Sequence, residues 1–171
     1  MRENTYNPLA TLCRLEYSLS VQRKTAIMQI GSHARGQKML EYQITAHRID
    51  ANGSTAQAGA AEIVLDTCLD GRPDAFNPAE LFLASIAACM IKGIERVCPI
   101  LGFELSGVKV QLHAKRQDAP PMITAVDYEI VVTTQESEVR LELLHKNVKK
   151  YGTIFNTVSQ AVAIEGRLVR G

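Results

Sequence analysis

The feature that most constrains this fold is one long apolar helix with a complete start signal. Asn77 is a favourable N-cap, Pro78 fits the first helical position, and Glu80 follows the cap by three residues, as in a capping box. Residues 81–91 (LFLASIAACMI) are then apolar at nearly every position. A helix that is apolar on nearly all sides is expected to lie buried in the middle of a fold.

The apolar run is a core helix rather than a membrane span. A helix that crosses a bilayer needs roughly 20 consecutive apolar residues, and the run 81–91 is followed at once by charged side chains. The helix is predicted to end near Val97, because Pro99 cannot continue it and restricts the residue before it.

The segments around this helix have the alternation of strands with one buried face. Strands are predicted over residues 40–48, 55–66, 108–114, 126–132 and 162–168, and further helices over 136–150 and 153–160. Asn52 and Gly53 form the turn of the first hairpin. The order β-β-α-β-β-α-α-β is typical of an α+β fold. We therefore predict antiparallel sheets packed on the long buried helix.

The 171 residues suit one domain with a small addition. Residues 1–38 are weakly patterned and are predicted to be an N-terminal extension, while residues 39–171 form the domain. A net charge of +1, with no tryptophan, argues against nucleic-acid binding. The N-terminus has no apolar signal region, which favours a cytoplasmic protein with free thiols.

The four cysteines, Cys13, Cys68, Cys89 and Cys98, form no CxxC pair. Within an apolar helix, Cys89 by itself has the properties of an inert small hydrophobic residue. Cys98 is half a turn away on the opposite helix face, so a direct disulfide between these two is not expected. A resolving role for Cys68 or Cys98 stays open. The histidines lack metal-ligand spacing and no nucleotide motif occurs, so we predict neither a metal nor a cofactor.

Two segments together resemble the OsmC/Ohr family. Residues 77–90 (NPAELFLASIAACM) resemble its signature, in which Asn-Pro leads through an acidic or amide pair into an Ala-rich helix that ends in Ala-Cys. Residues 149–165 (KKYGTIFNTVSQAVAIE) resemble the family segment that begins at a second cysteine. The resemblance covers about residues 40–171. It implies an OsmC-like fold, a homodimer whose subunits intertwine, and, for the peroxidase members, two-cysteine reduction of organic hydroperoxides.

The chain departs from the peroxidase pattern at three positions. Cys89 falls on the family's reactive cysteine, but its second cysteine aligns with Gly152, which cannot form a disulfide. The position of the catalytic glutamate is Ala79. The activating arginine has no clear match in residues 54–61.

Three functional interpretations follow from the resemblance. The first is a thiol-dependent organic hydroperoxide reductase that acts through Cys89 alone and needs an external thiol reductant. Tyr151, Gly152 and Phe155 would line its cleft. The second is a non-catalytic member that binds a small hydrophobic ligand there, and the third is a dimeric stress-response protein without chemistry of its own.

Overall fold

A computed structural model describes residues 39–171 of the chain. The predicted extension, residues 1–38, lies outside the described residues, as does Cys13. The elements in chain order are β1 (Thr45–Asp50), β2 (Gly53–Ala58), β3 (Ala61–Leu65), α1 (Pro78–Leu101), β4 (Gly107–Asp118), β5 (Pro121–Thr133), α2 (Glu138–Tyr151), α3 (Thr153–Val158) and β6 (Ala163–Arg170).

Strands β1, β2 and β3 form an antiparallel sheet in that order. The sequence predicted one strand over residues 55–66, and this prediction is wrong, because the chain turns back between Ala58 and Ala61. Gly59 adopts the left-handed conformation, with φ of 61°, which glycine enters without the steric cost of a side chain. The alternation of small residues on both sides of Gly59 concealed this turn.

Strands β4, β5 and β6 form the second sheet, with β5 in the centre. β4 and β5 are antiparallel, whereas β6 is parallel to β5. The parallel pairing arises because α2 and α3 carry the chain back across the sheet before β6 begins. The predicted α+β class is confirmed, and one of its two sheets is mixed.

Helix α1 begins at the predicted capping box. The side-chain oxygen of Asn77 accepts hydrogen bonds from the backbone N–H groups of Ala79, at 2.9 Å, and Glu80, at 3.0 Å. The Glu80 carboxylate accepts one in return from the backbone N–H of Asn77, at 2.9 Å. These bonds satisfy donors that a helix start otherwise leaves unpaired, so local sequence fixes where α1 begins.

Helix α1 ends later than its sequence predicts. It runs to Leu101 with Pro99 inside its last turn, so the predicted end near Val97 is wrong. Gly102 closes the helix in the left-handed conformation, and Arg140 of α2 donates to the carbonyls of Leu101, at 3.1 Å, and Gly102, at 2.9 Å. The charged donor satisfies terminal carbonyls and offsets the bond that the proline lacks.

The core lies between α1, α2 and the second sheet. Helix α1 contributes a single stripe of fully buried side chains, Ile86, Met90 and Ile94. The stripe packs with other fully buried side chains, namely Val126, Ile130, Val132, Leu141, Leu144 and Val148. Each such side chain contributes about 1.5–3 kcal/mol of hydrophobic stabilisation. The other side of α1 is less covered by its own chain, and Ile91 is 37% exposed.

Candidate functional site

The candidate site lies where α1 and α2 pack antiparallel. Near the middle of the contact, a Cβ added to Gly93 would lie 3.4 Å from Cγ1 of Val148, so the glycine lets the helices approach closely. Further along, Arg140 at the start of α2 reaches Leu101 at the end of α1. This register brings the end of α2 beside the first half of α1.

Cys89, Gly152 and Phe155 meet at that end. A Cβ added to Gly152 would lie 3.5 Å from Sγ of Cys89, 3.0 Å from Cβ of Phe155 and 3.0 Å from the carbonyl oxygen of Val148. Gly152 is buried, while Cys89 and Phe155 are half-buried. Because φ of −77° and ψ of 106° at Gly152 suit any L-residue, a side chain there would be limited by space rather than by backbone strain.

A buried tyrosine and a histidine form a second cluster beside this one. Oη of Tyr128 lies 2.7 Å from Nε2 of His145, and their rings meet edge to face at 5.7 Å. The Tyr128 ring also packs perpendicular to that of Phe155, at 6.3 Å between centroids. No motif in the sequence links these two residues. The sequence gives one indication of the pair, a tyrosine among the aliphatic residues on the buried face of β5. A buried tyrosine hydroxyl usually has a hydrogen-bond partner.

Burial sets the charge states of the Tyr128–His145 pair. Burial raises the pKa of Tyr128 to about 12, so its hydroxyl stays protonated at neutral pH. Burial, followed by the charge of Lys149, lowers the pKa of His145 below its ordinary value. Both groups are therefore neutral near pH 7, and their hydrogen bond joins two uncharged side chains.

Tyr151 lies at the end of α2 on the surface. It is 51% exposed, and Nζ of Lys150 lies 5.0 Å from its ring centroid. The Tyr151 ring therefore contacts Lys150, whereas Gly152 and Phe155 pack beside Cys89.

The charged side chains near the family's glutamate and arginine positions are exposed or bound to other residues. Ala79 carries no carboxylate, and the Glu80 carboxylate is held by the capping box. Arg48 is exposed on β1, opposite Ser54. Arg72, in the loop before α1, forms a two-point ion pair with Asp74, at 2.7 and 2.6 Å.

All three cysteines in residues 39–171 are free thiols. Cys98 is buried near the far end of α1, where burial, followed by the charges of Glu95 and Glu136, raises its pKa. Cys68 is half-buried in the loop before α1, and its backbone N–H donates to Asp66 at 3.0 Å. Neither is paired with Cys89 in the structure.

Two further observations concern the part of the chain that the structure describes. It contains no group of three or more His, Cys, Asp and Glu side chains placed to bind a metal ion. None of the helices in residues 39–171 combines the length and the apolar character needed to cross a membrane.

Comparison with known proteins finds similarity to OsmC-like proteins both in sequence and in structure. A family model described as OsmC-like protein matches residues 71–166. An OsmC-like protein from Mycoplasma pneumoniae is 19% identical, with a TM-score of 0.68 over 77% of this chain and 99% of that one. The organic hydroperoxide resistance protein OsmC from Legionella pneumophila is 19% identical, with a TM-score of 0.61 over 79% and 99%.

A third solved structure, the organic hydroperoxide resistance protein OhrB of Bacillus subtilis, is 18% identical, with a TM-score of 0.54 over 77% of this chain and 99% of that one. No curated protein matches this chain. At these identities the structural similarity establishes a shared fold, and activity has to be argued from the site.

Proposed function

Because this chain belongs to the OsmC-like protein family, we propose that it reduces organic hydroperoxides through one cysteine, Cys89. Two structural relatives bear the name organic hydroperoxide resistance protein, which supports this reaction class. The observation that carries the proposal is the surroundings of Cys89: the residue is half-buried, and its Sγ faces Gly152, which presents no side chain to it. A peroxide that approaches Sγ from this side requires neighbouring atoms to shift, because even a Cβ at Gly152 would lie 3.0 Å from Phe155 and from the Val148 carbonyl.

The proposed reaction has three balanced steps. The thiolate of Cys89 attacks the terminal peroxide oxygen and the O–O bond breaks, which leaves Cys89 as a sulfenic acid, while the departing alkoxide takes a proton from solvent and becomes an alcohol. A first external thiol then attacks the sulfenic sulfur, forms a mixed disulfide with Cys89 and releases water. A second external thiol attacks the sulfur of the first in that disulfide, so that Cys89 returns to the thiol and the two external thiols leave joined as a disulfide.

The need for an external thiol follows from Gly152. Glycine at this position cannot supply the sulfur that would trap a sulfenic acid within the chain. Phe155, which packs beside Gly152, would give the approach to Cys89 an apolar wall that suits an organic hydroperoxide. A reaction that consumes external thiols requires a reducing compartment, in keeping with a cytoplasmic location.

The proposal predicts fast and selective oxidation of Cys89. Reduced protein mixed with one equivalent of cumene hydroperoxide should form a trappable sulfenic acid at Cys89 at least about tenfold faster than at Cys68 or Cys98. Trapping followed by mass spectrometry measures each site separately. Cys89→Ser should abolish hydroperoxide consumption, whereas the matched control Cys98→Ser should retain it. Equal labelling of all three cysteines would contradict the proposal.

The alternative is a non-catalytic family member that binds a small hydrophobic ligand in the same cleft. The observation that favours it concerns the carboxylate that a peroxidase needs near its thiol. Ala79 has no carboxylate, and that of Glu80 accepts a hydrogen bond from the backbone N–H of Asn77. Slow labelling of Cys89 in the same experiment, together with a co-purified small molecule in native mass spectrometry, would support this alternative.

We also propose that the chain works as a homodimer. Apolar side chains of β3 and the following loop are exposed in a single chain: Ile63 is 46% exposed, Val64 43% and Phe76 56%. They line one surface depression of about 600 Å³. A patch of this kind marks an association surface, and a second copy is the commonest partner.

The homodimer predicts that sedimentation equilibrium at micromolar concentration gives about twice the monomer mass. Val64→Lys places a charge in the apolar patch and should shift the equilibrium towards monomer by tenfold or more, on the order of 1.4 kcal/mol. The control Lys109→Glu changes an exposed charge on β4 of the other sheet and should remain dimeric. A wild-type protein that sediments as a monomer would exclude the dimer.

A further inference from the structure

Helix α3 forms one side of the Cys89 site, and only partly buried side chains, Ile154, Phe155 and Val158, hold it against the core. It has only six residues, Thr153–Val158, no side-chain hydrogen bond at its N-cap, and no fully buried residue. The Asn156 side chain donates a hydrogen bond to the carbonyl of Lys150, at 3.1 Å, which links α3 to α2. The position of α3 therefore depends strongly on the packing of its half-buried side chains, Phe155 among them.

Phe155 packs on a tyrosine ring that is itself fixed. Tyr128 is only 5% exposed and its hydroxyl is bonded to His145 of α2. On the neighbouring strand, Gly166 leaves room for the ring, since a Cβ there would lie 2.5 Å from Cγ of Tyr128. The hydrogen bond fixes the direction of the ring, and the ring edge supports Phe155 at a right angle.

The contacts continue from Phe155 to the reactive sulfur. The empty Cβ position of Gly152 lies 3.0 Å from Cβ of Phe155 and 3.5 Å from Sγ of Cys89. Phe155 and the thiol therefore pack on opposite sides of Gly152, and the 3.0 Å distance means that Phe155 has to move before a further group fits there. How far Phe155 can be displaced then sets the size of the molecule that can reach Sγ.

From these contacts we infer that Tyr128 and His145 are positioning residues, which act through Phe155 to set the bulk of the hydroperoxide admitted to Cys89. The inference rests on the proposed function and adds to it a determinant of substrate size. Neither residue is assigned a chemical step. Tyr128 supports the wall, His145 orients Tyr128, and Phe155 is the part of the wall beside the sulfur.

Tyr128→Phe removes the hydroxyl and keeps the ring, so it tests the hydrogen bond itself. The readout is the ratio of the rate constants for oxidation of Cys89 by cumene hydroperoxide and by hydrogen peroxide, a bulky and a small substrate. The ratio should change by about threefold to tenfold, the size expected from one buried hydrogen bond. It should come closer to one, so that the bulky and the small substrate react at more similar rates. Loss of stability alone would change both rates together and leave the ratio unaltered.

Two further variants make the test specific. His145→Phe should move the ratio in the same direction, and the double variant should change it no more than either single variant, because both remove one interaction. The matched control His113→Phe replaces an exposed histidine of β4 and should leave the ratio at the wild-type value.

A parallel measurement separates this inference from the proposed function. Alkylation of Cys89 by iodoacetamide and by the bulkier N-phenylmaleimide requires access to Sγ but no peroxidase chemistry. If wild-type Cys89 does not react selectively with peroxides, the proposed function fails, while a changed alkylation ratio in Tyr128→Phe still supports the positioning role. If both ratios in Tyr128→Phe stay within about 1.5-fold of wild type, the positioning role is overturned.

Discussion

Gly152→Cys is expected to form a disulfide with Cys89 and to convert a one-cysteine site into a two-cysteine site. In a disulfide with an S–S bond of about 2.05 Å, the Cβ of one cysteine lies about 3 Å from the sulfur of the other, and a Cβ at position 152 would already lie 3.5 Å from the Cys89 sulfur. The backbone at Gly152 suits an L-residue. The contacts of 3.0 Å to Cβ of Phe155 and to the backbone carbonyl of Val148 require these atoms to move by a few tenths of an ångström.

Oxidation with one equivalent of cumene hydroperoxide should therefore consume two thiols in this variant, and the lifetime of the sulfenic acid should fall by about tenfold or more. Thiol titration and peptide mapping measure the two effects. Gly152→Ser is the matched control, because it introduces a side chain of similar size without a sulfur. A sulfenic acid that survives equally long in both variants would show that positions 89 and 152 are not adjacent in solution.

Gly166→Ala is expected to cost about 3 kcal/mol in the free energy of unfolding, because it overpacks the closest contact between β5 and β6. The added Cβ would lie 2.1 Å from the carbonyl oxygen of Tyr128 and 2.5 Å from its Cγ. A backbone oxygen within a paired strand cannot move away without breaking the ladder that Tyr128 and Gly166 share. Urea denaturation monitored by circular dichroism measures the change.

The matched control for this substitution is Gly107→Ala, at the start of β4. Its Cβ would lie 3.3 Å from Oγ1 of Thr133, a side-chain atom that can adjust, so the unfolding free energy should stay within about 1 kcal/mol of wild type. Equal losses in both variants would mean that the cost reflects alanine in a strand rather than the contact with Tyr128.

The sequence predicted those parts of the fold that depend on residues close together in the chain. The start of α1 follows from Asn77 and Glu80 alone, and the strands β4 and β5 follow from their alternation. The end of α1 could not be predicted in the same way, because the last turn depends on Arg140, which joins it from another helix. A proline rule that considers only local backbone places the end one turn too early.

The candidate site shows the same division. The alignment of Gly152 with a cysteine position came from the resemblance, since no periodicity relates residues on two different helices. The structure places Gly152 beside Cys89, through the close packing at Gly93. The bond between Tyr128 and His145 had no local signal, because it depends on how α2 lies over β5.

Because α3 is weakly anchored, its local opening should determine how often solvent and substrates reach the sulfur of Cys89. A short helix with an uncapped start and no fully buried residue opens locally at a free-energy cost well below that of global unfolding. Amide protons of α3 would then exchange with solvent through these openings, while those of β5 would wait for the whole fold to open. Access to the sulfur is in that case governed by a local fluctuation of six residues, and it can be altered without any change in overall stability.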